Sequence, residues 1–247
     1  MMKNKPICTL IVLLPLFFLQ CDRGWRALFD GRSLDGWEVK CTAKDRDLEV
    51  WRVRDGLLSC DSMGNPDHDY VWLMSEGEFS DFELLLIFRA FRDSPGNSGV
   101  QIRSRYDANP SAPRGGWMDG PQVDIHPPLP WRTGLLYDET REVRRWISPS
   151  LPDWRIEQSH APASWRFVYA DQGDGWNELR VFCRNLRITA RLNGLLMSDF
   201  DGRGVLDDSA HLKRRVGRSG HIALQLHAND ELRIDFKEIR IREFAKE

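Results

Sequence analysis

Three short segments of the sequence alternate apolar residues with polar side chains that could bind and transform a hydroxylated ligand. They are residues 97–103, 122–126 and 221–227. Successive side chains of an extended strand point to opposite faces, so each segment would direct an aliphatic row into a core and a hydrogen-bonding row outward. The outward rows would hold Asn97, Gln101 and Arg103; Gln122, Asp124 and His126; and His221, Gln225 and His227.

The composition of these rows indicates ligand binding. One face of an antiparallel sheet is often solvated, but solvated faces are usually rich in Lys, Glu and Thr. Amide, carboxylate, imidazole and guanidinium groups instead offer directional donors and acceptors suited to hydroxyls. The ten tryptophans favour the same interpretation. Most of them should pack in a core, while others, such as Trp131, could stack against a sugar ring.

A metal site is a weaker hypothesis. Asp124 and His126 stand two residues apart, so both side chains could reach a divalent cation, although a hydrogen-bonded pair is the favoured interpretation. The sequence contains no C-x-x-C pair, which disfavours structural zinc. We therefore predict no metal ligands, and the sequence requires no cofactor. Cys41 and Cys60 could form a disulfide in an oxidising compartment or remain buried thiols.

The elements that would position these residues are strands. Short alternating runs recur between Gly, Pro, Asn and Asp, and no long amphipathic helix is evident. Asp55-Gly56 and Asn193-Gly194 have the chemistry of tight hairpin turns. The pattern predicts an all-β sandwich or barrel. Two irregular stretches, near residues 106–120 and 127–164, are expected to form walls around a site.

The first 21 residues predict export. Two lysines precede an apolar run that is too short to span a bilayer comfortably, as in a secretory signal. Cys21 follows that run and could be a lipoprotein-type lipidation site, anchoring the protein to a membrane. We expect a periplasmic, outer-membrane lipoprotein or secreted protein with one domain over residues 25–247. The net charge of −2 gives no sign of nucleic-acid binding.

The sequence resembles the 3-keto-disaccharide hydrolase domain family, long catalogued as a domain of unknown function. The matching segments, in chain order, are Leu28-Phe29-Asp30-Gly31, Leu34-Asp35-Gly36-Trp37, Trp51-Arg52-Val53-Arg54-Asp55-Gly56-Leu57-Leu58, Phe82-Glu83-Leu84, Asn97-Ser98-Gly99-Val100-Gln101-Ile102-Arg103, Gly134-Leu135-Leu136-Tyr137-Asp138, Trp176-Asn177-Glu178, Asn193-Gly194, Gly220-His221-Ile222-Ala223-Leu224-Gln225-Leu226-His227 and Ile239-Arg240-Ile241-Arg242-Glu243. The resemblance implies a concanavalin A-like jelly-roll β-sandwich of two antiparallel sheets. It also implies an enzyme acting on glycosides already oxidised at C3 of the sugar.

A ketone at C3 acidifies the C2 proton, so the chemistry needs a base near C2, a donor for the enolate oxygen and an acid for the leaving oxygen. Asp124 or His126 could be the base, Arg103 could stabilise the oxyanion, and Tyr137 or His227 could protonate the leaving group. The remaining polar and aromatic groups would bind the substrate: Asn97, Gln101, Gln122, Gln225 and Trp131.

Two other functions compete with this hypothesis. A non-catalytic carbohydrate-binding module would need only the amide row and the aromatic walls. An ordinary retaining glycosidase would need two carboxylates about 5 Å apart. The strand that carries Gln122, Asp124 and His126 offers no Glu nucleophile, which disfavours the glycosidase.

Overall fold

The computed structural model describes residues 24–94 and 96–245. The predicted signal and the candidate lipidation site at Cys21 lie outside these residues. Within them, no helix is long and apolar enough to cross a membrane.

The described residues form sixteen strands and one short α-helix, α1 (Ser209–Arg214). The strands are β1 (Trp25–Ala27), β2 (Trp37–Cys41), β3 (Trp51–Arg54), β4 (Leu57–Asp61), β5 (Val71–Ser75), β6 (Phe82–Ala90), β7 (Ser98–Asp107), β8 (Trp117–Asp119), β9 (Pro121–Ile125), β10 (Leu136–Asp138), β11 (Arg145–Ser148), β12 (Asn177–Arg184), β13 (Arg187–Leu192), β14 (Leu195–Asp201), β15 (His221–Leu226) and β16 (Arg233–Glu243). The fold is all-β, as predicted.

The strands make two antiparallel sheets of eight strands each. The front sheet has the order β11-β10-β9-β7-β15-β5-β2, with β8 paired to β7. The back sheet has the order β14-β13-β12-β6-β16-β4-β3, with β1 paired to β16. Consecutive strands such as β6 and β7 lie in different sheets, which is the connectivity of a jelly-roll sandwich.

Apolar side chains from both sheets fill the space between them. Val100, Val123 and Leu224 of the front sheet and Val181 and Ile239 of the back sheet are fully buried in one hydrophobic cluster. Each such side chain stabilises the fold by roughly 2 kcal/mol through removal of apolar surface from water. The aliphatic rows predicted from the sequence therefore do face the core.

The hairpin turns form where the sequence predicts them. Asp55 and Gly56 join β3 to β4 with φ angles of 52° and 78°, and Asn193 and Gly194 join β13 to β14 with φ angles of 49° and 80°. Asn, Asp and Gly tolerate this left-handed conformation, which matches the twist of the strands.

The segment 127–164 is more regular than predicted, because β10 and β11 extend the front sheet beyond β9. The segment 106–120 likewise includes β8. Cys41, Cys60 and Cys183 are free thiols. Cys41 lies in the front sheet and Cys60 in the back sheet, so the disulfide that the sequence left open is absent from the structure.

Candidate functional site

The floor of the candidate site is the outer face of the front sheet, where β10, β9, β7 and β15 lie side by side. Gln122 lies opposite Tyr137 on one side and Gln101 on the other. Gly99 lies opposite Asp124 and Gln225. Directly opposed residues share a face, so these side chains line one surface.

Gly99 makes room on this surface for an amide. A Cβ atom at Gly99 would lie 2.4 Å from the Cδ atom of Gln122, so the side chain of Gln122 lies directly over the glycine backbone. From there the Gln122 amide donates a hydrogen bond of 3.2 Å to Oδ1 of Asp124. The missing side chain thus lets Gln122 reach the carboxylate.

Asp124 is almost fully buried, with 2% exposure. Burial raises the pKa of this carboxyl to about 6, against the lowering effect of Arg132, His227 and Gln122. The Nε atom of Arg132 lies 3.3 Å from Oδ2 of Asp124, but this oxygen accepts no well-formed hydrogen bond from the described residues. Asp124 can therefore act as a base near neutral pH.

A second buried carboxylate, Glu139, lies just beyond the end of β10. Burial raises its pKa to about 7, and the charges of Asp138 and Asp124 add to this effect while Arg144 and His227 oppose it. Nε of Arg144 is 3.3 Å from Oε2 of Glu139. The backbone carbonyl of Glu139 accepts a 2.9 Å hydrogen bond from the indole of Trp117, which fixes the main chain.

Phenol and imidazole groups complete the polar surface. The Tyr70 hydroxyl lies 3.0 Å from Nε2 of His227, and Nδ1 of His227 lies 3.1 Å from the carbonyl of Ala228. The second contact assigns the proton to Nδ1, so the phenol donates to Nε2. Burial raises the pKa of Tyr70 and of Tyr137 well above the usual value, which keeps both phenols protonated.

These groups surround a cavity of about 130 Å³. Its lining combines two carboxylates, two arginines, two phenols, two amides, an imidazole and two indoles: Tyr70, Asn97, Gln122, Asp124, Arg132, Tyr137, Glu139, Arg144, Trp146, Trp154 and His227. Asn97, Gln122, Asp124, Tyr137 and His227 were predicted from the sequence, and the structure brings all five together.

Arg103 does not reach this cavity, and its predicted role at the oxyanion is wrong. Its side chain is fully buried on the other side of the sheet. The guanidinium donates to the carbonyls of Ser80 and Asn185, each at 2.6 Å, and to Oδ1 of Asp81 at 3.0 Å.

A β-bulge in β7 causes the Arg103 side chain to point away from the cavity. His221 and Ala223 of β15 pair with Ser104 and Gln101 of β7, so β7 holds one extra residue, and Arg103 has a φ angle of 52°.

His126 and Trp131 also lie outside the cavity lining. Burial and the charge of Arg132 lower the pKa of His126 to about 4, so this imidazole is neutral and a weak base. Trp131 stacks on Trp165 with ring centroids 4.6 Å apart, which covers one face of its indole. The structure therefore places both residues outside the cavity, and their predicted roles stay predictions.

Gln101 and Gln225 are on the predicted face but are fully buried and do not line the cavity. They lie beside Gln122 and Gly99 on the same face of the sheet. No group of three or more His, Cys, Asp or Glu side chains in the described chain is arranged to hold a metal ion.

Sequence reasoning missed four charged or phenolic residues of the cavity: Tyr70, Arg132, Glu139 and Arg144. Glu139 could have been found, because it stands two residues after Tyr137 and strand alternation would place both on one face. The arginines lie in loops, where no periodicity applies. Tyr70 precedes β5, which is buried on both faces and shows no alternation.

Comparison with solved structures agrees on the β-sandwich fold. A protein of Parabacteroides distasonis described as a candidate glycosyl hydrolase shares 18% identity, with 90% of this chain and 94% of that chain covered and a TM-score of 0.55. A galectin-like protein of unknown function from Bacillus subtilis shares 9% identity, with 87% and 92% covered and a TM-score of 0.53. The metal-free carbohydrate recognition domain of Emp46p shares 11% identity, with 90% and 96% covered and a TM-score of 0.54.

The family model described as the 3-keto-alpha-glucoside-1,2-lyase-like domain matches residues 24–242. The chain belongs to this family, as its sequence motifs predicted. The comparison with curated proteins finds no match.

Proposed function

We propose that this protein cleaves 3-keto glycosides by removing the C2 proton and eliminating the substituent at C1. The observation that carries the proposal is the pair of buried carboxylates, Asp124 and Glu139, whose pKa values of about 6 and about 7 bracket a range near neutrality. In such a pair one carboxyl can accept a proton while the other donates one.

Asp124 is the proposed base. Its carboxylate is ionised at pH 7 and is held by Gln122 through Oδ1. When a C3 ketone is present, Asp124 takes the proton from C2, and the electron pair of the C2–H bond becomes the C2=C3 bond of an enolate. A base with a pKa near the working pH is well matched to this step.

Arg132 is the proposed stabiliser of the enolate oxygen, in place of Arg103. Its Nε atom lies 3.3 Å from the base, and C3 is adjacent to C2, so the developing negative charge would arise close to this guanidinium. A cation beside a buried carboxylate stabilises such a charge more strongly than it would in bulk water, because the local dielectric constant is lower.

Glu139 is the proposed acid. When the enolate re-forms the C3 ketone, its electron pair creates a C1=C2 bond, and the C1–O bond breaks. The leaving oxygen takes the proton of the Glu139 carboxyl. The products are an unsaturated 3-keto sugar and a free alcohol, and addition of water across C1=C2 would give net hydrolysis. Tyr70, Tyr137, Asn97 and His227 would bind the sugar hydroxyls.

An ordinary retaining glycosidase is the second candidate, because Glu139 supplies the carboxylate that the strand of Asp124 lacks. Retaining enzymes use one carboxylate as a nucleophile and one acid with a raised pKa. Here burial raises the pKa of both carboxyls, which fits proton transfer better than nucleophilic attack. A third candidate, a carbohydrate-binding module, needs no titrating groups at all.

One experiment separates the three candidates. The purified protein is incubated with α- and β-linked glucose disaccharides oxidised at C3 of the non-reducing ring, each beside its unoxidised parent. Cleavage of a 3-keto sugar alone is the expected result. Cleavage of a parent disaccharide would support the glycosidase, and binding without cleavage of either would support the binding module.

We also propose that the protein is exported, on the basis of residues 1–21. Fractionation of producing cells, with mass spectrometry of the mature N-terminus, tests the cleavage site and lipidation at Cys21. An intact N-terminus in the cytoplasmic fraction would overturn this proposal.

A further inference from the structure

Trp154 differs from the other aromatic residues of the cavity in being open to solvent. Its side chain is 66% exposed, whereas Trp146 and Tyr137, which line the same cavity, are 2% and 7% exposed. An indole is the largest apolar side chain, and one that protrudes at the mouth of a polar cavity offers a flat surface to a ligand.

The backbone around Trp154 is anchored although its ring is free. The indole of the buried Trp146 donates a 2.8 Å hydrogen bond to the carbonyl of Trp154, and the Trp146 amide donates to the carbonyl of Asp153 at 3.1 Å. The Trp146 carbonyl accepts from the amide of Leu151 at 3.1 Å. A side chain on an anchored loop loses less conformational freedom on binding than one on a free loop.

The faces of the Trp154 indole are little covered. Within the described residues its one recorded ring contact is the Arg155 guanidinium, 5.9 Å from the ring centroid. Trp131 provides the contrast, since Trp165 covers one face of its indole at 4.6 Å. Of the two indoles, Trp154 is the one free to stack with a ligand.

The size of the cavity determines which part of a substrate can lie beside the Trp154 indole. A volume of about 130 Å³ is below the roughly 300 Å³ at which sites for drug-sized ligands begin, so the cavity suits a single sugar ring. Any second ring of the substrate must lie at the mouth, where Trp154 is exposed.

We propose that Trp154 is the specificity-determining platform for the leaving group and that it selects a pyranose, stacked by its apolar face, over a small alkyl group. This inference rests on the proposed function. It concerns the part of the substrate that departs, which Asp124 and Glu139 do not select.

The test compares two substrates across variants. One is the 3-keto disaccharide that the wild-type protein cleaves, and the other is the methyl 3-keto glucoside of the same anomeric configuration. The variants are Trp154→Ala and Trp154→Phe, with Leu212→Ala as control. Leu212 is also exposed, at 59%, but lies on α1 outside the cavity lining.

Trp154→Ala should lower kcat/KM for the disaccharide about ten-fold, as expected for loss of one stacked ring, mainly through a higher KM. The methyl glycoside should be cleaved as by the wild type, Trp154→Phe should be intermediate, and Leu212→Ala should change neither. Equal losses on both substrates, or no loss on either, would overturn the role of Trp154. Failure of the wild type to cleave any 3-keto sugar would instead overturn the proposed function and this inference with it.

Discussion

A cluster of arginines and carboxylates at β8 and another at β9 and β10 differ in how completely their charges are paired. In the first, next to β8, Asp119 accepts hydrogen bonds from the amide and the Nε atom of Arg141, and Nε of Arg214 lies 3.2 Å away. In the second, Asp124 and Glu139 each have one arginine at 3.3 Å. Arginines and carboxylates therefore occur in one cluster with the carboxylate hydrogen-bonded to arginine, and in another without such hydrogen bonds.

The pKa values reflect this difference. The backbone amide of Asn109 and the guanidinium of Arg141 lower the pKa of Asp107 in the first cluster, whereas burial raises the pKa of Asp124 and Glu139 in the second. The first cluster also borders the larger cavity, of about 500 Å³. Size alone would point to the wrong site, because chemistry requires groups that can exchange protons near neutral pH.

Neutralising one aspartate in each cluster should have different consequences for activity. Asp124→Asn should lower kcat about 10³-fold, because an amide cannot accept the C2 proton. Asp119→Asn should leave kcat close to the wild-type value. The measurement is initial rates on the same 3-keto substrate, and comparable losses in the two variants would erase the distinction between the clusters.

Arg103→Met should destabilise the protein by about 3 kcal/mol, because it leaves the Asp81 carboxylate and three carbonyls without their buried donor. Urea denaturation measures this loss in the free energy of unfolding. The fraction that stays folded at low temperature should turn over substrate at the wild-type rate. A variant that is stable but inactive would indicate that Arg103 has a catalytic role.

Glu139→Gln should lower kcat about 10²-fold by removing the acid. In the wild-type protein, kcat/KM should rise with pH as Asp124 ionises near 6 and fall as Glu139 ionises near 7. The variant should lose the falling limb. An unchanged bell-shaped profile would assign that limb to another group.

The same variant should be more stable than the wild type in alkali. The folded-state pKa of Glu139 is raised, so its stabilising effect is complete below the unfolded pKa and is lost as pH rises through about 7. At pH 8 the difference should approach roughly 3 kcal/mol, and it should vanish near pH 4. Thermal unfolding at the two pH values measures it, and a variant less stable than the wild type at pH 8 would refute the burial of this charge.

The smallest predicted effect is a change in stability, from the contact of His211 with Asp138 of β10. Nδ1 of the buried His211 lies 2.8 Å from Oδ1 of Asp208, and its Nε2 lies 3.1 Å from Oδ2 of Asp138. The two carboxylates raise the pKa of His211 despite the opposing effect of burial, so the stability it adds is complete below its unfolded pKa and lost as pH rises through the folded one.

His211→Gln should accordingly cost about 1.5 kcal/mol at pH 6 and less at pH 9. Denaturation at both pH values measures the difference. His160→Gln, outside the helices and strands, is the control and should change stability at neither pH. An equal cost of His211→Gln at both pH values would mean that the imidazole is not charged in the folded protein.

The sequence predicted the face of the sheet better than the roles on it. Gln122 and Asp124 were placed correctly because β9 is a regular strand and the two-residue period holds along it. Arg103 was misplaced because a β-bulge adds one residue, and nothing in the local sequence marks that insertion. His126 lies one residue beyond the last residue of β9, where the alternation no longer applies.

The rest of the site depends on long-range pairing. Glu139 shares the cavity with Asp124 because β10 pairs with β9, and Arg144 arrives from the loop that follows. A single sequence gives no measure of burial at either position, so it could not predict that the two carboxylates would have raised pKa values. The family motifs indicated the family and the sandwich topology instead.

Removal of the C2 proton can be followed directly during cleavage. A 3-keto disaccharide is cleaved in D₂O and the products are observed by NMR, beside the Asp124→Asn variant and a sample without enzyme. Every cleaved molecule should have lost its original C2 proton, either to an unsaturated product or to deuterium. Cleavage of the C1–O bond with the C2 proton retained would contradict this expectation.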